Sequence, residues 1–208
     1  MIENIVFDMG NVLIAWDPAR ITARLGLPAE DGQLLQREIF KSVEWVSLDR
    51  GTLSESQALA RFRDRLPLHL HDAAERCVFW WKEPLWPISG MAELVGELAD
   101  RGYGIYLLSN ATSALHRYFP RIPGSEHFQG MLVSADRKLL KPQHEIYEAL
   151  FAAFGLDPAA SLFVDDSPAN AEGAIRLGMQ AHVFYGDTAR LRRELRAAGL
   201  SVKEKEHE

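Results

Sequence analysis

Asn4-Ile5-Val6-Phe7-Asp8-Met9-Gly10-Asn11 sets a short apolar, β-rich run directly against a carboxylate. Two later stretches repeat the arrangement. Gly104-Ile105-Tyr106-Leu107-Leu108 stops at Ser109-Asn110, and Ser161-Leu162-Phe163-Val164 stops at Asp165-Asp166. A weaker run, Ala181-His182-Val183-Phe184, follows. Short apolar runs rich in β-branched and aromatic residues and closed by polar ones read as buried strands.

Helix signals separate these runs. Ser89 is placed to cap a helix that turns Met91, Leu94, Val95 and Leu98 inward, with Gly102 closing it. After Pro142, Ile146, Leu150 and Ala153 recur at helical spacing and Gly155 terminates the pattern. Ser167-Pro168 reads as an N-cap followed by proline at the first helical position, and Gly178 ends that helix. Strands alternating with helices require crossover connections, so the expected fold is α/β, a doubly wound parallel sheet covered on both faces.

Residues 17–86 break the alternation and read as four consecutive helices. Asp17-Pro18 opens the first; Leu34, Leu35, Ile39, Phe40 and Val43 mark the second. Ser54-Glu55-Ser56-Gln57 is a capping box for a third that buries Leu59 and Phe62, and an aromatic-rich fourth spans about Asp72 to Trp81. Such a stretch is too long for an ordinary strand-to-helix connection. The expected organisation is an α/β core of residues 1–16 and 87–208, with a helical cap of residues 17–86 inserted after the first strand.

Composition narrows the function. With 29 Asp and Glu against 23 Lys and Arg, the net charge of -6 argues against nucleic acid as a main partner, because phosphate-backbone binders carry basic faces. Cys77 is the single cysteine, which excludes an intramolecular disulfide and disfavours a cysteine-based zinc site. The opening MIENIVFDMGNVLI lacks the layout of a secretory signal, and no apolar run reaches membrane-spanning length. The expected setting is therefore the reducing cytoplasm, without membrane contact. The closing KEKEHE reads as a solvated tail.

In an open parallel sheet, ligands bind beyond the carboxyl ends of the strands. Asp8, Ser109-Asn110 and Asp165-Asp166 all fall at that edge, and Lys141 sits in a loop before a helix at the same edge. Two unit charges about 4 Å apart repel by roughly 4 kcal/mol at a surface-like dielectric. Three carboxylates in one cleft therefore need raised pKa values or a bound cation, and hard oxygen ligands select Mg2+. A metal would also shield an incoming phosphate from an attacking carboxylate. Lys141 would balance the phosphate charge, while Ser109 and the Asn110 backbone N–H would donate to its oxygens.

In chain order these residues resemble the haloacid dehalogenase superfamily, in its phosphatase branch with a helical cap after the first strand. The resemblance rests on Val6-Phe7-Asp8-Met9-Gly10-Asn11-Val12-Leu13, Leu107-Leu108-Ser109-Asn110, Leu140-Lys141-Pro142 and Phe163-Val164-Asp165-Asp166-Ser167, and covers nearly the whole chain. Asp8-Met9-Gly10-Asn11-Val12 followed by Trp16-Asp17-Pro18 is most similar to the bacterial subgroup that includes an α-glucose-1-phosphate phosphatase. The resemblance implies that Asp8 attacks phosphorus to form an aspartyl-phosphate, which water hydrolyses. It implies Mg2+ held by Asp8, the Gly10 carbonyl and Asp166, with Asp165 acting through water. Ser109, Asn110 and Lys141 would hold the phosphate of a small phosphorylated metabolite.

One position departs from the family pattern. Most phosphatases of the superfamily carry a second Asp two residues after the nucleophile, as general acid and then base, and here that position is Gly10. Such catalysis is typically worth about 10²–10⁴-fold. Another group substitutes, or turnover is slow, or the leaving group is good, as in a sugar 1-phosphate. Asp17 and His144 are candidate substitutes for that group, although Asp17 reads better as a helix cap and His144 as an exposed first-turn residue. Trp45, Asp49 and Arg50 are candidates for the pocket wall, although a surface turn explains Asp49 and Arg50 equally well. Trp80, Trp81 and Trp86 read as packing residues. Two rivals share the pattern: a metal-independent 2-haloacid dehalogenase, which lacks the paired acids, and a phospho-ligand-binding protein without turnover. The oligomeric state is not legible in one chain.

Overall fold

A computed structural model describes residues 1–203; the KEKEHE tail falls outside the described residues except for Lys203. Five strands form one parallel sheet: β1 (Asn4–Phe7), β2 (Gly104–Ser109), β3 (Gly130–Val133), β4 (Ser161–Asp165) and β5 (Gln180–Val183), in the order β3-β2-β1-β4-β5. The first strand thus lies in the middle. Its Phe7 is level with Leu107 on one side and Val164 on the other. The chain crosses from β3 at one edge to β4 beyond β1, so the winding direction reverses at β1 and β4. Such reversals open a crevice above the strand ends.

The alternation of side chains along each strand divides the sheet into two cores. Ile5, Phe7, Ile105, Leu107, Leu162 and Val164 belong to one face, and Val6, Leu108 and Phe163 to the other. Continuing the register by one residue brings Asp8, Leu108 and Asp165 level with each other on the second face. Strand β3 carries little signal in the sequence because its four residues, Gly-Met-Leu-Val, open on a strand-weakening glycine and form too short a run to show alternation.

The insert between β1 and β2 holds α1 (Pro18–Ala23), α2 (Ala29–Leu35), α3 (Val43–Arg50), α4 (Glu55–Arg65) and α5 (His71–Phe79). This is one α-helix more than expected. The stretch read as a single second helix breaks, passing from α2 through a π turn at Gln36–Phe40 into α3, because the Ser42 hydroxyl accepts from Trp45 N–H and starts a new helix. The capping box of α4 is complete in both directions, Ser54 with Gln57. These helices bury a core of their own around Leu35, Ile39, Phe62 and Cys77.

Helix α6 (Met91–Asp100) leads into β2, and beyond it the flanking helices are α7 (Leu115–Tyr118), α8 (Ser134–Arg137), α9 (His144–Phe154), α10 (Pro168–Arg176) and α11 (Thr188–Ala197). Three expectations change in detail. Helix α6 starts from Gly90 in the left-handed region, which takes the Ser89 hydroxyl out of capping reach; the Ser89 carbonyl instead accepts from Thr188. Tyr147, and not the exposed Ala153, joins Ile146 and Leu150 on the buried face of α9. Ser167 occupies the N-cap position of α10 without a side-chain bond, and the Asp165 carboxylate takes the Ser167 N–H at 2.8 Å.

Candidate active site

Asp8 is the first residue past β1, and its N–H donates to the Val164 carbonyl at 2.9 Å. Adjacent strands lie about 4.8 Å apart, so the register alone sets the Asp8 and Asp165 carboxylates side by side. Lys141 enters between them from the loop before α9. Its Nζ lies 2.8 Å from Asp8 Oδ1 and 2.6 Å from Asp165 Oδ2, and it donates to the Leu108 carbonyl at 2.8 Å. That loop is held by Asn110, whose amide donates to the Lys141 carbonyl at 3.0 Å and accepts from the Lys141 N–H at 2.8 Å. The Asn110 side chain is thus spent on positioning Lys141. Ser109 lines the cavity beside it and makes no side-chain hydrogen bond among the described residues.

Asp165 is fully buried and saturated. Besides Lys141 it accepts from Ser167 N–H and from the Asn170 amide at 3.0 Å. Asp166 accepts from Asn11 Nδ2 at 2.9 Å through one oxygen. Asn11 follows Gly10 in the first motif and bridges two segments here. It sits at φ 54, a left-handed conformation that asparagine tolerates better than most residues, and it also accepts from Trp16 N–H at 2.9 Å. The signal was present in the Gly-Asn pair, which often marks such a turn.

Carboxylate oxygens of Asp8, Asp165 and Asp166 lie within 4.8 Å of one another. Asp8 and Asp166 each engage only one oxygen with another side chain, whereas both oxygens of Asp165 are taken. This donor set fits a hard divalent cation bound directly by Asp8 and Asp166. One buried ammonium among three acids leaves a negative excess. Burial pushes the Asp8 carboxyl from 3.8 up to about 6, with Lys141 pulling it down and Asp165 pushing it up. For Lys141, burial works against the charge, yet Asp8 and Asp165 together hold its pKa above the ordinary lysine value.

Above the carboxylates is a cavity of about 170 Å³ reached by Gly10, Asn11, Ser109, Asn110 and Asp166. Its far wall is aromatic. Trp16 stacks on Trp45 at 5.4 Å and meets Trp81 edge-on at 4.5 Å, while Trp81 meets Tyr118 at 5.9 Å. Trp81 is therefore a wall residue and not only packing. Trp86 lies under Arg20 and Arg24, and Trp80 is largely exposed.

Asp49 reaches the cavity from the end of α3. Burial, and secondarily the Asp8 charge, holds its carboxyl well above the usual range. Arg50 points elsewhere and donates to Gln143 at 2.9 Å. Asp17 caps α1, accepting from the Ala19 and Arg20 N–H groups, and exposed His144 lies near Glu145. Neither reaches the cavity.

At a reversal point of a parallel sheet the site gathers a buried lysine and three acids, an arrangement suited to a hydrolytic enzyme. Residues 2–178 match the haloacid dehalogenase-like hydrolase family, and the chain belongs to it. It is 25% identical over 181 residues to a sesquiterpene phosphatase from Aspergillus oryzae, covering 84% of this chain and 85% of that protein. It is 26% identical over 202 residues to flavin mononucleotide hydrolase 1 from Arabidopsis thaliana, covering 95% and 78%. A HAD family enzyme from Bacteroides thetaiotaomicron, solved with magnesium and inorganic phosphate, shares the fold with a TM-score of 0.72 at 21% identity, covering 92% of this chain and 99% of that one. No helix among the described residues is long and apolar enough to cross a membrane.

Proposed function

We propose that this enzyme hydrolyses the phosphate monoester of a small metabolite through an aspartyl-phosphate on Asp8, with Mg2+ as cofactor. The observation that carries this reading is the meeting of Asp8, Asp165 and Asp166 around one buried lysine at the sheet's reversal point. Lys141, 2.8 Å from Asp8 Oδ1, anchors the Asp8 carboxylate and orients it to attack phosphorus in line with the leaving group. The Ser109 hydroxyl and the Asn110 N–H donate to the phosphoryl oxygens as charge builds on them. Mg2+, held by Asp8, Asp166 and the Gly10 carbonyl with Asp165 at one remove through water, would neutralise charge between nucleophile and phosphate. Residues 17–86 serve as a cap over this chemistry, and residues 1–16 and 87–208 as the core.

The aromatic wall, and the absence of a lysine or arginine among the described residues lining the cavity, favour a single phosphate on an uncharged skeleton. A sugar 1-phosphate stacked on Trp16 and Trp45 meets that description, as does a terpenyl phosphate of the kind the Aspergillus relative's name indicates. A screen of phosphate release over sugar phosphates, terpenyl phosphates and nucleotides, with Mg2+ and with EDTA, tests the reading. Metal-dependent release that Asp8→Asn abolishes is expected. Release of halide in EDTA without phosphatase activity, binding of phosphate without turnover, or a tenth of the rate retained by Asp8→Asn would each overturn it.

A further inference from the structure

Position 10 offers no side chain, so the proton that must reach the leaving oxygen has to come from elsewhere. Among the described residues lining the cavity, Asp49 is the one carboxylate outside the Asp8, Asp165 and Asp166 cluster. Its side chain makes no hydrogen bond or ion pair with any described residue, although its backbone is fixed firmly. The buried Ser134 hydroxyl donates to the Asp49 carbonyl and accepts from Ala111 N–H at 2.9 Å, tying the end of α3 to the ends of β2 and β3. Arg50 donates to Gln143, two residues beyond Lys141. Gly51 follows at φ +72, and a Cβ there would stand 2.2 Å from the Ala135 carbonyl oxygen, so glycine alone allows the insert to approach this closely. Three successive residues, 49 to 51, therefore dock the insert on the core while the Asp49 carboxyl is left unengaged at the cavity.

We propose that Asp49 is the general acid and base of the reaction, delivered by the helical insert in place of the group missing at Gly10. This rests on the phosphatase reading above. When Asp8 attacks, the bond from phosphorus to the leaving oxygen breaks and Asp49 gives its proton to that oxygen, releasing the alcohol. Water then attacks the aspartyl-phosphate and Asp49 takes its proton. The bond from phosphorus to Asp8 breaks, inorganic phosphate leaves, and Asp8 is a carboxylate again with Asp49 reprotonated. The burial that raises the Asp49 pKa favours the protonated form that the first step needs.

The test compares wild type, Asp49→Asn and Asp49→Ser on p-nitrophenyl phosphate, whose leaving group needs little protonation, and on benzyl phosphate, whose leaving alkoxide needs it. Both variants are expected to keep the wild-type thermal midpoint, because no protein partner is lost. They should lose about 10²–10⁴-fold in kcat on benzyl phosphate and less than about tenfold on p-nitrophenyl phosphate. Gly10→Asp added to Asp49→Asn should restore part of the benzyl phosphate rate; a Cβ at Gly10 meets only Trp16 Cβ, at 3.7 Å. Equal losses on both substrates, an unchanged benzyl phosphate rate, or collapse of the fold in both variants would overturn the assignment. If wild type itself releases no phosphate from either substrate, the failure lies with the phosphatase reading and not with Asp49 alone.

Discussion

Lys141→Met removes the one cation that two buried carboxylates share, while keeping a side chain of similar length. The Lys141 side chain is 1% exposed and that of Asp165 is 0% exposed, with 2.6 Å between them, so no solvent can replace the lost charge. Removing one member of a buried ion pair typically costs about 3–5 kcal/mol, because the other is left uncompensated. Asp8 can take up a proton, since the Lys141 influence that pulled its pKa down is gone. Asp165 keeps its bonds from Ser167 and Asn170 but loses its counter-charge. The assay is urea unfolding followed by tryptophan fluorescence in EDTA, with the same titration in Mg2+. We expect a loss of about 3–5 kcal/mol in EDTA, part of it recovered by Mg2+, and most of it recovered when Asp165→Asn is added. A variant within about 1 kcal/mol of wild type in EDTA, within the spread of a surface pair, would refute the picture of a charge-balanced cluster.

Two further outcomes follow from the same geometry. Without metal, folded Asp8 keeps its proton to about pH 6 whereas the unfolded chain releases it near 3.8, so the folded state binds more protons in that window. Stability in EDTA should therefore fall as pH rises from about 4 to 6, by up to about 3 kcal/mol, and Asp8→Asn should remove that part of the slope; identical slopes would contradict the raised pKa. Gly51→Ala forces a Cβ into the Ala135 backbone at a left-handed φ, so we expect a lowered thermal midpoint and at least about a tenfold loss of kcat as the insert lifts from the core, in line with the cost of small misplacements at active sites. Wild-type values for both would show that this contact does not hold the insert in place.

The apolar runs ending at Asp8, Ser109 and Asp165 were legible because a buried parallel strand needs continuous apolar residues and ends where the chain turns polar. Strand β3 and the break at Ser42 were not, since a four-residue edge strand and two short helices in succession leave weak periodicity. Asp49 was ambiguous for a different reason. In the sequence it is an acid before Arg-Gly-Thr, as any surface turn has, and only the close approach of Gly51 to Ala135 brings it to the cavity that Asp8 lines.

By itself the sequence determined which residues could end strands, which could cap helices, and that acids from distant segments would gather at one rim of a sheet. Register and long-range docking decided the rest: that Lys141 reaches both Asp8 and Asp165, that the Asn110 side chain serves the Lys141 loop, and that Trp16, Trp45, Trp81, Tyr118 and Asp49 line the cavity with Asp8 and Asp166. Local patterns carry the periodicity of strands and helices. Contacts between residues far apart in sequence depend on how whole elements pack, and no local spacing encodes them.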